Sequence, residues 1–60
     1  MSSEKKLILV IDDQKDTREL IQSTLTNDEF SVITAPGGRE GIQLAKMRKP
    51  DIILLDMVMP

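Results

Sequence analysis

Three aspartates stand where this chain could do chemistry. Asp12 and Asp13 follow directly on the apolar run Leu7–Ile11, and Asp56 follows directly on a second apolar run, Ile52–Leu55. Carboxylates at close range raise one another's proton affinity and destabilise a fold, so three gathered at one place need a compensating charge. The chain contains neither cysteine nor histidine. Disulfides and thiolate or imidazole metal sites are therefore excluded, and any metal must be held by oxygen. Mg2+ suits such a set: it takes oxygen ligands in octahedral geometry, retains waters, and typically binds one or two carboxylates together with a phosphate oxygen.

Whether the three acids meet depends on the elements that carry them. LILVI (Leu7–Ile11) is continuously apolar and rich in β-branched residues, the pattern of a strand buried on both faces. From about Gln14 to Asn27 the period becomes helical, with Leu20, Ile21, Thr24 and Leu25 on one face and Thr17 a turn earlier. Asp13 is a fitting N-cap, and Asp16 and Glu19 lie early in the helix, where negative charge suits its dipole. Asn27 and Asp28 tolerate the left-handed conformation that often closes a helix.

FSVITA (Phe30–Ala35) predicts a second strand, half polar and hence at a sheet edge. Pro36 and Gly37 then break the chain, and Gly37 can cap a second helix from Gly38 to about Arg48. Its expected core face is Gly38, Gly41, Ile42 and Ala45, which leaves Leu44 and Met47 as a second small apolar patch. Pro50 stops this helix and biases Lys49 towards extended geometry. IILL (Ile52–Leu55) predicts a third buried strand.

The order β-α-β-α-β implies an α/β fold with a parallel sheet and right-handed crossovers. An edge position for the second strand gives spatial order 2-1-3. The two crossovers then run in opposite directions and place their helices on opposite faces, the opening of a doubly wound sheet. In such sheets the binding crevice lies beyond the carboxyl ends of the strands, where the strand order reverses. That point falls between the first and third strands, so Asp12, Asp13 and Asp56 are expected to converge there.

Composition narrows the remaining classes. Eight basic against ten acidic residues give a net charge of −2, which argues against a nucleic-acid surface in this segment. No stretch approaches the roughly 20 apolar residues of a membrane span. Met1–Lys6 is polar and leads into only five apolar residues before Asp12, too few for a secretory signal. A cytoplasmic location is the expectation. A chain of 60 residues buries only about 60% of the surface its unfolded form exposes, so marginal stability is expected.

These residues resemble the receiver domain of two-component response regulators, from the first strand to the last residue. Asp12-Asp13 after LILVI looks like the family's metal-binding acidic pair. PDIILLDMVMP (Pro50–Pro60) looks like its phosphoacceptor strand and following loop, and TAPGGREGI (Thr34–Ile42) resembles the exit of its second strand and its second helix. The resemblance implies the β-α-β-α-β half of a flavodoxin-like doubly wound sheet. It implies that Asp56 accepts a phosphoryl group, from a phosphohistidine on a sensor histidine kinase or from a small acyl phosphate. It further implies Mg2+ held directly by Asp13, Asp56 and the backbone carbonyl of Val58, with Asp12 acting through a metal-bound water.

Departures from the family pattern are Gly41 for the usual Ala, Glu29 for a helix-ending glycine, Gly37 for a polar cap, and Thr17 at a usually apolar site. The family's hydroxyl residue after its fourth strand, its lysine after the fifth and its switching aromatic have no counterpart within residues 1–60, which are expected to form a truncated receiver domain. Ile52–Leu55 contains no lysine, proline or bulge to protect an open edge. The expectation is self-association as a two-fold homodimer, with the two third strands antiparallel.

A rival reading is a half domain that acts as an assembly unit without competent phosphotransfer, and a plain Mg2+ binder is a further one. Two enzyme classes are set aside: a dehalogenase-type phosphatase wants a second Asp where Val58 stands, and a dinucleotide site wants G-x-G-x-x-G where the chain has DDQKDT.

Overall fold

Five elements follow one another in the order expected from the hydrophobic periods. They are β1 (Lys6–Ile11), α1 (Lys15–Leu25), β2 (Phe30–Ala35), α2 (Gly38–Arg48) and β3 (Ile52–Leu55). The structure is a computed structural model and describes residues 5–55. All three strands are parallel and lie in the order β2-β1-β3. β1 is central and is covered on both sides: Ile8, Leu9 and Val10 are all buried.

Strand pleating divides the core between two faces. Ile8, Val10 and Val32 form one cluster, against which Ile21 and Leu25 of α1 and Phe30 of β2 pack. Leu9 and Ile11 point the opposite way, and there α2 lies on β1 and β2, with Gly41 closely apposed to Ile11. The two helices thus cover opposite faces, as a doubly wound sheet requires.

Both helices are rotated from their expected faces. In α1, Leu20 is 66% exposed and Thr24 is exposed, while Arg18, Ile21 and Leu25 are half-buried. Ile21 and Leu25, four residues apart, reach the Ile8–Val32 cluster, and the residue before each is thereby turned to solvent. In α2, Ile42 is 58% exposed and Gly38 is exposed, whereas Gly41 is buried and Leu44 and Ala45 are half-buried. Seating Gly41 against the sheet brings the residues three and four further on to the same face, so Leu44 takes the place expected for Ile42. Met47 is exposed as expected.

Helix ends also differ. Asn27 and Asp28 are not left-handed, since the one non-glycine positive φ among the described residues belongs to Lys49. α1 closes instead on an extended Thr26, whose N–H donates to the Gln22 carbonyl. Lys49 adopts φ 51°, ψ 62°, where extended geometry was expected before Pro50. Proline disfavours a right-handed residue before it. The left-handed turn satisfies that restriction and still lets the Lys49 N–H donate to the Ala45 carbonyl at 2.9 Å.

The two sheet edges are finished differently. Glu29 and Ala35 accept from Lys6 and Asp12 of the β1 segment, so by alternation the backbone groups of Phe30 and Val32 face outward. Three of these outward groups find partners within the chain. Asn27 Oδ1 accepts from the Phe30 N–H at 2.9 Å, the Asn27 N–H donates to the Phe30 carbonyl, and Gln22 Nε2 donates to the Val32 carbonyl at 3.0 Å. β3 has no such cover. It contacts β1 alone among the described elements, and Ile52–Leu55 are all exposed, contrary to the buried strand expected.

Candidate functional site

The carboxyl ends of β1 and β3 lie side by side, because Ile11 pairs with Leu55. Asp12 follows the first of these residues and Asp56 the second. Asp56 and Val58 lie outside the described residues, which carry the β1 half of the site. Among the described residues no three acidic side chains gather at one point.

Asp12 is only 1% exposed. Three of its polar atoms are tied down. Its N–H donates to the Ala35 carbonyl at 3.1 Å, its Oδ1 accepts from the Gln14 N–H at 2.9 Å, and its carbonyl accepts from Arg18 Nη1 at 2.8 Å. The fourth, Oδ2, is buried without a partner. A buried carboxylate oxygen without a donor is costly, and a bound cation or water is the partner that such an oxygen calls for.

The Asp12–Gln14 contact is an Asx turn, in which an aspartate oxygen binds the backbone two residues on. It delays the start of α1 to Lys15, so the N-cap is Gln14, with no side-chain cap bond, and not Asp13 as expected. Asp13 is consequently released from capping. Its side chain is exposed and makes no hydrogen bond among the described residues. One buried carboxylate oxygen and one uncommitted carboxylate, adjacent in the chain and both hard oxygen donors, fit a hard cation such as Mg2+.

Arg18 was not identified from the sequence. Its position one turn into α1, on the side facing the end of β1, is the signal that could have found it. Asp51 was also missed, at the opposite end of the sheet. Its Oδ2 accepts from the Leu7 N–H at 2.8 Å, and its own N–H donates to the Leu7 carbonyl at 2.8 Å. This double contact starts the β1–β3 pairing and so sets the register that brings Leu55 beside Ile11.

The fold and these acids define a class: a parallel, doubly wound α/β sheet with an acidic turn at its switch point. A family model described as the response regulator receiver domain matches residues 8–60, and the chain belongs to that family. It is similar to the alkaline phosphatase synthesis transcriptional regulatory protein PhoP of Bacillus subtilis (strain 168), 42% identical over 55 residues that cover 92% of this chain and 23% of that protein. It is also similar to the probable transcriptional regulator ycf27 of Porphyra purpurea, 35% identical over 60 residues, 100% of this chain and 25% of that protein. Response regulator MprA of Mycolicibacterium vanbaalenii is 40% identical over 53 residues, 88% of this chain and 23% of that protein. The chain thus spans about a quarter of the length of these relatives. No solved structure matches it. No helix among the described residues is long and apolar enough to cross a membrane.

Proposed function

We propose that this chain is a phosphoacceptor module of two-component signalling, working in the cytoplasm, in which Asp56 takes a phosphoryl group. The observation that carries this reading is the state of Asp12, buried with Oδ2 unpartnered at the end of a strand paired with the one that leads to Asp56. Asp13, Asp56 and the Val58 carbonyl are the proposed direct ligands of Mg2+, and Asp12 acts through a water. Bound there, Mg2+ supplies charge neutralisation and orientation for the phosphoryl oxygens.

The protein's own residues do the rest. An Asp56 carboxylate oxygen attacks phosphorus in line. The bond from phosphorus to the donor, a histidine nitrogen of a sensor kinase or the oxygen of a small acyl phosphate, breaks as the new P–O bond forms. The leaving group departs with the electron pair. Such a transfer depends on positioning and electrostatics more than on covalent assistance. The Asx turn at Asp12 and the Ile11–Leu55 pairing provide the positioning.

The test is incubation of the chain with Mg2+ and acetyl phosphate, followed by intact mass. The expected result is a phosphoryl adduct that disappears in Asp56→Asn and on chelation of Mg2+. A folded chain that takes no adduct overturns the reading.

One observation favours a second reading, in which the 60-residue chain acts as an assembly unit. The outer edge of β2 is covered by Gln22 and Asn27, whereas β3 is apolar and, among the described elements, packs on β1 alone. An open edge is a template for another strand, and two copies of β3 paired antiparallel about a two-fold axis would close it. Because Asp51 donates to Leu7, alternation turns the Leu54 N–H away from β1. Leu54→Pro is therefore expected to spare the β1–β3 pairing and render a dimer monomeric in sedimentation. A monomeric unsubstituted chain overturns this second reading.

A further inference from the structure

Arg18 stands out among the charged residues because its contact is with the backbone of the acidic turn. Among the described residues it makes no ion pair, the one such pair being the exposed Lys15–Glu19. Arg18 is half-buried and its guanidinium donates from Nη1 to the Asp12 carbonyl at 2.8 Å. That carbonyl and the N–H of Asp13 belong to a single planar peptide unit. A donor that holds the oxygen at one end of the plane also holds the nitrogen from which Asp13 continues. Asp13 makes no hydrogen bond of its own among the described residues, so it is held by the Asx turn that spans it and by this contact on the peptide that precedes it.

We infer that Arg18 is a positioning residue for the cation site: by gripping the Asp12 carbonyl it fixes the peptide plane from which Asp13 presents its carboxylate. The inference rests on the reading of the Asp12–Asp13 turn as a Mg2+ site. Arg18 touches neither the cation nor the phosphoryl group. It acts through the backbone, as outer-shell partners of metal ligands do, and loss of such partners typically weakens metal binding about 10- to 100-fold.

Charge and position pull in opposite directions, which makes the proposal decidable. A guanidinium close to a cation site opposes cation binding by Coulomb repulsion, so removing it would tighten Mg2+ binding if charge were its whole effect. Such repulsion weakens as salt is added, whereas the loss of positioning does not. Arginine is also the side chain suited to the geometry, since its planar fork is pre-organised and an ammonium on a flexible stem is not.

The experiment is a Mg2+ titration of the 15N-labelled 60-residue chain at physiological salt, following the amides of Asp12, Asp13 and Gln14. Wild type, Arg18→Gln and Arg18→Lys are compared, with urea unfolding in the absence of Mg2+ as a parallel readout. Arg18→Gln is expected to weaken Mg2+ binding by about ten-fold or more, and Arg18→Lys to recover part of that loss. A variant that is less stable in urea but binds Mg2+ as wild type does would show a merely structural role and overturn the inference. Tighter binding by Arg18→Gln would show that charge dominates and overturn it equally. If Arg18→Gln does not fold, Arg18→Lys is judged alone, weaker binding supporting the inference and unchanged or tighter binding overturning it. Wild-type amides that ignore Mg2+ would overturn the cation reading itself, and this inference with it.

Discussion

Gly41 lies against Ile11 with no room for a methyl group between them. A Cβ added at Gly41 would overlap the Ile11 Cδ1 and stand 2.8 Å from its Cγ1. The family's usual alanine at this position is therefore incompatible with Ile11 as it is placed here. Glycine weakens the helix locally, but it lets α2 approach β1 closely enough to bury Leu9 on that face.

Gly41→Ala sets a gain of about 1 kcal/mol in helix propensity against overpacking of about 1–3 kcal/mol. The expected net effect is destabilisation by about 1 kcal/mol. In an Ile11→Val background, which removes the overlapping Cδ1 but keeps a γ carbon at 2.8 Å, the same change should cost less than it does beside Ile11. Urea denaturation of the four chains checks the sign.

Asp12→Asn keeps the acceptor for the Gln14 N–H and removes a buried charge whose second oxygen has no partner. Without Mg2+ the variant is expected to be more stable than wild type by about 1 kcal/mol. The stabilisation that wild type gains from Mg2+ by mass action should be smaller in it. Unfolding curves with Mg2+ and with chelator measure both effects.

Asp51→Ala removes the acceptor of the Leu7 N–H at the start of the β1–β3 pairing. This hydrogen bond is exposed, so a loss of about 0.5–1.5 kcal/mol is expected, with a smaller loss for Asp51→Asn, which retains one oxygen. Faster exchange of the Leu7 amide is the local signature. Unchanged exchange there would show that the side chain does not hold the strand.

Asn27→Ala strips the partner from two backbone N–H groups, those of Glu29 and Phe30. A cost of about 1–2 kcal/mol is expected by analogy with loss of a capping residue, and Asn27→Asp should cost much less. Because the Phe30 N–H faces the outer edge of β2, Asn27→Ala should also increase self-association in sedimentation. Equal association of the two variants would remove edge protection as a role for Asn27.

Much of the fold was legible because its signals are local. The apolar runs Leu7–Ile11 and Ile52–Leu55, the half-polar Phe30–Ala35 and the breakers Pro36, Gly37 and Pro50 specify elements by period and turn chemistry alone. β2 and α2 therefore begin and end where the sequence reading placed them. The order β2-β1-β3 was legible for a related reason: a central parallel strand must be apolar on both faces, and an edge strand need not be. The acids at strand ends followed from the same reading.

Which side of each helix meets the sheet was not legible, since Leu20 and Ile21, like Ile42 and Leu44, are equally apolar. Ile21 and Leu44 face inward because of what lies opposite them, the Ile8–Val32 cluster in one case and the Gly41–Ile11 contact in the other. The contrast between Asp12 and Asp13 has the same origin. By itself the sequence determined that two carboxylates follow β1 and that β1 is central. Only the tertiary structure decided that the first is buried and bound by Gln14 and Arg18 while the second is left uncommitted. The physical reason is that burial and hydrogen bonding depend on partners such as Arg18 and Ala35, brought together by helix packing and strand pairing, and no periodicity within a single segment encodes them.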